Sequence, residues 1–175
     1  MKRKIIVFLL ATLLATLTAG ALAERADRDQ PVNIEADRVI VDDRTRTHSF
    51  EGQVVLTQGS LVIKGDRLVV VQGADGFHTG IASGGKKGLA SFRQKREASD
   101  EYVEGEAEQI EYDSRNETAK LIGRAWIRAG GDEMRGDFIE YDALTENYIA
   151  GSTPSTAGRV RAVLQPKGAA AGDSQ

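Results

Sequence analysis

There is no cysteine anywhere in the 175-residue chain, and its two histidines, His48 and His78, stand far apart. No disulfide is possible, and a zinc site lacks ligands. Basic residues do not dominate either. The formal balance is −3, from 23 Lys and Arg against 26 Asp and Glu. Three of the basic residues, Lys2, Arg3 and Lys4, fall in the first four positions, so the chain from residue 24 on holds 20 against 26, a balance of −6. A generic nucleic-acid binder wants the opposite sign, so nucleic acid is not expected as a partner. Past residue 23 no window carries an apolar stripe of helical period. A serine nucleophile elbow, G-x-S-x-G, is missing. Gly80 to Lys86 fits the first part of a phosphate loop, but Lys87 stands where Ser or Thr would hold magnesium, and no helical pattern follows.

The first 23 residues read as an export leader. Lys2, Arg3 and Lys4 precede an apolar run from Ile5 to Ala19, and Ala21-Leu22-Ala23 supplies a small-x-small cleavage site before Glu24. The run is shorter than the roughly 20 residues of a membrane span. The organisation expected is therefore a signal peptide over 1–23 cut after Ala23, one domain over 24–167, and a disordered Gly/Ala-rich tail over 168–175.

What is present is repetition. Glu35 to Val69 lies without a gap on Glu106 to Glu140 after a shift of 71 positions. Nine positions are then identical: Glu35/Glu106, Ala36/Ala107, Asp42/Asp113, Arg44/Arg115, Thr47/Thr118, Gly52/Gly123, Gly59/Gly130, Gly65/Gly136 and Asp66/Asp137. Unrelated segments of ordinary composition share roughly two. A finer unit is also visible. Asp37, Asp66, Glu108 and Asp137 each follow Ala or Gly and begin the pattern acid-x-apolar-x-apolar. A short unit copied about four times marks a repetitive architecture.

The unit reads as β-strand. Apolar residues recur every second position, as in Val39/Val41, Val54/Leu56, Leu61/Ile63 and Leu68/Val70, which puts them on one face. Glycines 52, 59, 65, 123, 130 and 136 separate the runs. Short antiparallel strands follow, with one greasy face to cover. The segment Gln72 to Glu101 departs from the repeat; its glycines and its basic residues Lys86, Lys87, Arg93, Lys95 and Arg96 read as long turns around one or two strands carrying Ile81, Leu89 and Phe92. The four recurring acids suggest a paired-carboxylate glycosidase, but a catalytic pair is needed once, so a turn or strand-start role in each unit is the expectation. Trp126 stands where the first copy has Val55, and both an exposed contact and packing beneath a loop are open for it. If the two halves of such a sheet do not close fully, they leave an apolar trough suited to acyl chains. Its terminal strands invite pairing with another copy.

The segments DQPVNIEADRVIV, FEGQVVLTQGSLVIKGDRL, VEGEAEQIEYD and MRGDFIEYD resemble the OstA-like family of periplasmic lipopolysaccharide-transport proteins, from Asp29 to about Lys167. The resemblance implies an all-β fold: an antiparallel β-jellyroll of about sixteen strands, a folded taco open at both ends. It implies no enzymatic activity and no cofactor, a place in the periplasm, and an apolar interior that holds the acyl chains of lipid A. It further implies head-to-tail stacking with itself, and contacts with an LptC-like anchored subunit of the inner-membrane complex and an LptD-like outer-membrane translocon. The alternating residues are then the lipid-binding interior: Val32, Ile34, Val39, Val41, Phe50, Val54, Leu56 and Ile63, with Leu68, Phe92, Ile110, Tyr112, Leu121, Ile127, Ile139 and Tyr141. The alternative function is a structural or adhesive exported β-repeat protein without a lipid ligand.

Overall fold

The computed structural model describes residue 27 and residues 30–73, 76–86, 88–96, 99–153 and 158–166. The leader and the tail over 168–175 lie outside these residues. Twelve strands occur in the described part: β1 (Asn33–Glu35), β2 (Arg38–Asp42), β3 (Thr47–Gln58), β4 (Leu61–Gly73), β5 (Gly76–Ser83), β6 (Ala90–Lys95), β7 (Tyr102–Ala107), β8 (Gln109–Asp113), β9 (Thr118–Ala129), β10 (Asp132–Asp142), β11 (Asn147–Gly151) and β12 (Arg161–Val163). Every pairing between them is antiparallel. The all-β expectation holds. The number of strands does not: twelve stand where about sixteen were expected.

The shortfall has a geometric cause. β3, β4, β9 and β10 are long, and each changes partners half-way. β4 pairs with β6 through Val62–Lys64 and with β5 through Arg67–Gly73. β9 pairs with β8 through Thr118–Ile122 and with β7 through Trp126–Ala129. β3 moves from β2 to β1, and β10 from β12 to β11. One layer therefore runs β2-β3-β4-β5-β8-β9-β10-β11, and the other β1-β3-β4-β6-β7-β9-β10-β12. Each of the four long strands serves both layers, which makes eight strand segments per layer.

The bend in these strands is written in the repeat. Gly52-Gln53 in β3 oppose the single residue Asp66, and Gly123-Arg124 in β9 oppose Asp137, so each pair is a β-bulge. Both glycines have strongly positive φ, +82° and +78°, a region that residues with a Cβ resist. The other two recurring acids close the corner. The Asp37 backbone N–H donates to the Gly52 carbonyl at 3.1 Å and the Glu108 N–H to the Gly123 carbonyl at 2.9 Å. All four acids thus stand at one spine, where the layers fold over each other. Asp37 and Glu108 directly precede β2 and β8, the strand-start role expected for them, whereas Asp66 and Asp137 lie inside β4 and β10, opposite the bulges.

Opposite the spine lie the lips. On the first layer three hairpins share one turn chemistry. Asp42, Asp113 and Asp142 each accept backbone N–H bonds from the residues two and three positions on, an Asx-turn. Each loop ends on a residue with positive φ: Arg46, Glu117 and Glu146. The third of these turns copies the first two outside the 71-residue alignment.

Candidate functional site: an apolar groove between two layers

The inward faces of both layers meet in one apolar interior. Eleven of the sixteen residues expected to line it are fully buried: Val54, Leu56, Ile63, Leu68, Phe92, Ile110, Tyr112, Leu121, Ile127, Ile139 and Tyr141. Alternation placed them correctly because the bulges at Gly52 and Gly123 each add one residue and restore the inward parity beyond the bend. Gly105 allows a close approach in this interior: a Cβ there would fall 2.7 Å from Leu121 Cδ2 and 2.9 Å from Phe92 Cε1. Beside them, Phe92 and Tyr141 have ring centroids 6.4 Å apart, and Tyr141 stacks on Tyr148 at 4.8 Å.

The interior is not uniform along its length. Toward the N-terminal end it opens into a cavity of about 830 Å3. Its apolar walls are Val32, Ile34, Phe50, Leu61, Val70, Phe77 and Tyr112, and Asp27, Gln30, His48, Gln58, Gln72, Gln94 and Arg115 contribute polar groups. Val32, Ile34 and Phe50, three further residues of the expected set, are half-buried here. Val39 and Val41 are the exceptions. They pair with Phe50 and His48 and so belong to the inward face, yet they remain 54% and 51% exposed. β2 is a terminal strand of its layer, paired only to β3, and the terminal strand of the other layer is the three-residue β1. Nothing is long enough to roof them, so they are not enclosed as expected.

Several interior residues escaped the reading from pattern. Leu61, Val70 and Val103 are fully buried, and for the first two the alternation with Ile63 and Leu68 was already the signal. Phe77 had none. Val71 pairs with Thr79 and Gln72 with Phe77, so His78 is an extra residue that flips the parity of the strand start. This turns Phe77 inward, where it stacks on Tyr112 at 6.3 Å. The Gln72–Glu101 segment does contain two strands, β5 and β6, as expected; Ile81 lies on the outward face of β5, between the buried Gly80 and Ala82. Trp126 is on the outer face of the second layer, half-buried, with the guanidinium groups of Arg128 and Arg135 each 5.6 Å from its ring.

The chemistry available in the groove is apolar contact with a polar rim. Burial raises the hydroxyls of Tyr141 and Tyr148 above the ordinary phenol value, so both stay neutral. Among the described residues no group of His, Asp and Glu is placed to hold a metal ion. An interior of this kind suits a hydrocarbon ligand.

Residues 33–147 match the model of the LptA/(LptD N-terminal domain) LPS transport protein family. The chain belongs to that family. Among LptA-type relatives, the lipopolysaccharide export system protein LptA of Escherichia coli K12 is 32% identical over 158 residues, which is 90% of this chain and 83% of that protein. LptA of Haemophilus influenzae is 30% identical, with 92% and 91% covered. The crystal structure of LptH, described as the LptA-homologous periplasmic component of the lipopolysaccharide transport device of Pseudomonas aeruginosa, superimposes with a TM-score of 0.72 at 27% identity. It covers 81% of this chain and 99% of LptH. The two-layer open taco described above is therefore the LptA-type fold.

Proposed function

We propose that this protein is a non-catalytic periplasmic carrier that holds the acyl chains of lipopolysaccharide between its two layers and passes the lipid from the inner-membrane complex to the outer-membrane translocon. The observation that carries the reading is the groove itself: a cavity of about 830 Å3 with apolar walls and polar groups beside them, open at the N-terminal end and continuous with an apolar core built on the same inward faces. Each methylene removed from water contributes about 0.8 kcal/mol, so a single acyl chain gains several kcal/mol without a dedicated polar site. The sixteen expected residues are its lining, with Val39 and Val41 forming an uncovered approach at the open end. Membership of the family supports the cargo, and the periplasmic placement of LptH supports the compartment.

The ends supply the partners. β1 and β2 at one end pair only with β3, and β11 and β12 at the other pair only with β10. Both ends therefore carry strand edges, flanked by exposed Val39, Ile40 and Val41 on one side and by Ile149, Val163 and Leu164 on the other. Such edges add strands from a neighbour. An LptC-like subunit at one end, an LptD-like translocon at the other and copies of this chain between them would make one continuous gutter. A photo-crosslinking side chain placed at Ile34 or Phe50 captures lipopolysaccharide, whereas one at Arg44, on the outer side of a lip turn, does not. Equal capture at all three positions refutes the inward-face assignment. No capture at any favours the alternative, an adhesive β-repeat protein.

A further inference from the structure

The two layers are joined covalently along the spine, but their lips are separate loops. Among the described residues an ion pair crosses between them. Arg96 directly follows β6 on the lip of the second layer, and Glu146 closes the β10–β11 turn on the lip of the first. The Arg96 guanidinium donates from Nε to Glu146 Oε1 at 3.2 Å and from Nη2 to Glu146 Oε2 at 2.6 Å, a two-pronged ion pair. Its remaining arm donates from Nη1 to Glu101 Oε2 at 2.9 Å, and the Arg96 backbone N–H donates to the Glu101 carbonyl at 3.0 Å, so the arginine is braced on its own lip. Arg96 is the less exposed partner, with a quarter of its side chain accessible.

The contact sits over a particular part of the groove. Glu146 is two residues from Tyr148, which stacks on Tyr141, which in turn faces Phe92 from β6, the strand that Arg96 follows. Behind this aromatic group lie Leu121, Ile127 and Ile139, all fully buried. The open cavity stops short of them; none of these residues lines it. A water-sized unit occupies about 30 Å3 of liquid volume, so the cavity of about 830 Å3 has room for somewhat under thirty such units, on the order of two fatty chains. A lipid with more chains needs the interior now filled by packed side chains.

We propose that the Arg96–Glu146 pair is a clasp across the mouth of the taco, and that its release admits lipid from the N-terminal cavity into the C-terminal half of the groove. The inference rests on the carrier reading above and concerns how loading of that site is controlled. The closed clasp sets the depth of occupancy; parting the lips pivots the layers about the glycine bulges at Gly52 and Gly123, the spine on which both are already bent. Because the brace to Glu101 stays within one lip, Arg96 keeps a carboxylate partner when the clasp opens, which lowers the cost of release.

The absence of native cysteine permits a clean test. In R96C/E146C the lips are tied with a reducible thiol-specific linker, and capture of purified lipopolysaccharide by a photo-crosslinking side chain is read at two positions, Ile34 in the open cavity and Phe92 behind the clasp. The expected result is unchanged capture at Ile34, capture at Phe92 lost in the tied protein, and its return on reduction. E146Q, which keeps the shape and removes the charge, raises the rate of capture at Phe92 relative to Ile34 about two- to fivefold, the range that a partly exposed ion pair commands. A probe at Tyr148 repeats the reading should the Phe92 replacement disturb the core. Capture behind the clasp that is equal in tied, reduced and E146Q proteins overturns the proposal while leaving the carrier reading standing. Absence of capture at Ile34 as well overturns both.

Discussion

Gly123→Ala tests the spine directly. Gly123 has φ +78° in a bulge that bends β9 from one layer into the other. A residue with a Cβ held in that region costs about 1–2 kcal/mol. The new methyl also meets a neighbour, falling 2.5 Å from Glu108 Oε2 and 3.0 Å from Glu108 Cβ. The Oε2 contact is the end of a flexible side chain and moves, but moving it breaks the 2.7 Å ion pair between Glu108 and Arg124. That pair is largely exposed, which limits its loss to about 0.5 kcal/mol. The total expected is about 2 kcal/mol of destabilisation. Urea unfolding followed by the fluorescence of the single Trp126 measures it, since Trp126 lies three residues along the same strand. The double variant G123A/E108A separates the two causes: it recovers the steric part and leaves about 1–2 kcal/mol of backbone strain. If G123A unfolds at the wild-type urea concentration, the positive φ does not hold the bend, and the account of the taco as two layers hinged on glycine bulges fails.

Two further outcomes follow from burial and turn chemistry. Leu121→Ala, at a fully buried position, costs about 3 kcal/mol, while Val39→Ser, at a position 54% exposed, stays within about 0.5 kcal/mol in the same unfolding assay but reduces lipopolysaccharide capture. Equal stability losses would contradict the placement of β2 beyond the covered interior. Asp113→Ala removes two backbone hydrogen bonds at a lip turn and costs about 1 kcal/mol at pH 7. Burial alone would push the Asp113 carboxyl up, but the hydrogen bonds donated by the backbone of Arg115 and Asn116 and the side chain of Asn116 outweigh it and hold the carboxyl below its ordinary value. A depressed folded value means that the contribution is complete above the unfolded carboxylate range near 4 and is lost as pH falls through the folded value. The gap between wild type and D113A should therefore be constant from pH 7 to 5 and shrink in acid; a gap that grows in acid reverses the sign of the argument.

Much of this molecule was legible before any coordinate. Period-two alternation located eleven buried residues, because a strand has only two faces and a covered sheet must put its apolar set on one of them. The 71-residue repeat announced that the two halves of the chain do the same thing, and six glycines marked breaks between its runs, of which those at 52 and 123 carry the bulges. Three matters were decided only in three dimensions. Whether a long strand counts once or twice depends on where it changes partners; in β3 and β9 the extra bulge residue keeps the alternation in phase through that change, while in β4 it slips by one between Ile63 and Leu68. Phe77 faces inward because His78 is an extra residue against β4, and such a slip is a property of a pair of strands. Val39 and Val41 carry the same pattern as their buried counterparts Ile110 and Tyr112 in the second copy, and differ because β8 has neighbours on both sides whereas β2 has one. A sequence specifies which way a side chain points from its own backbone; what stands opposite is supplied by residues far along the chain, and that opposition determines both the sealed half of the groove and the open one.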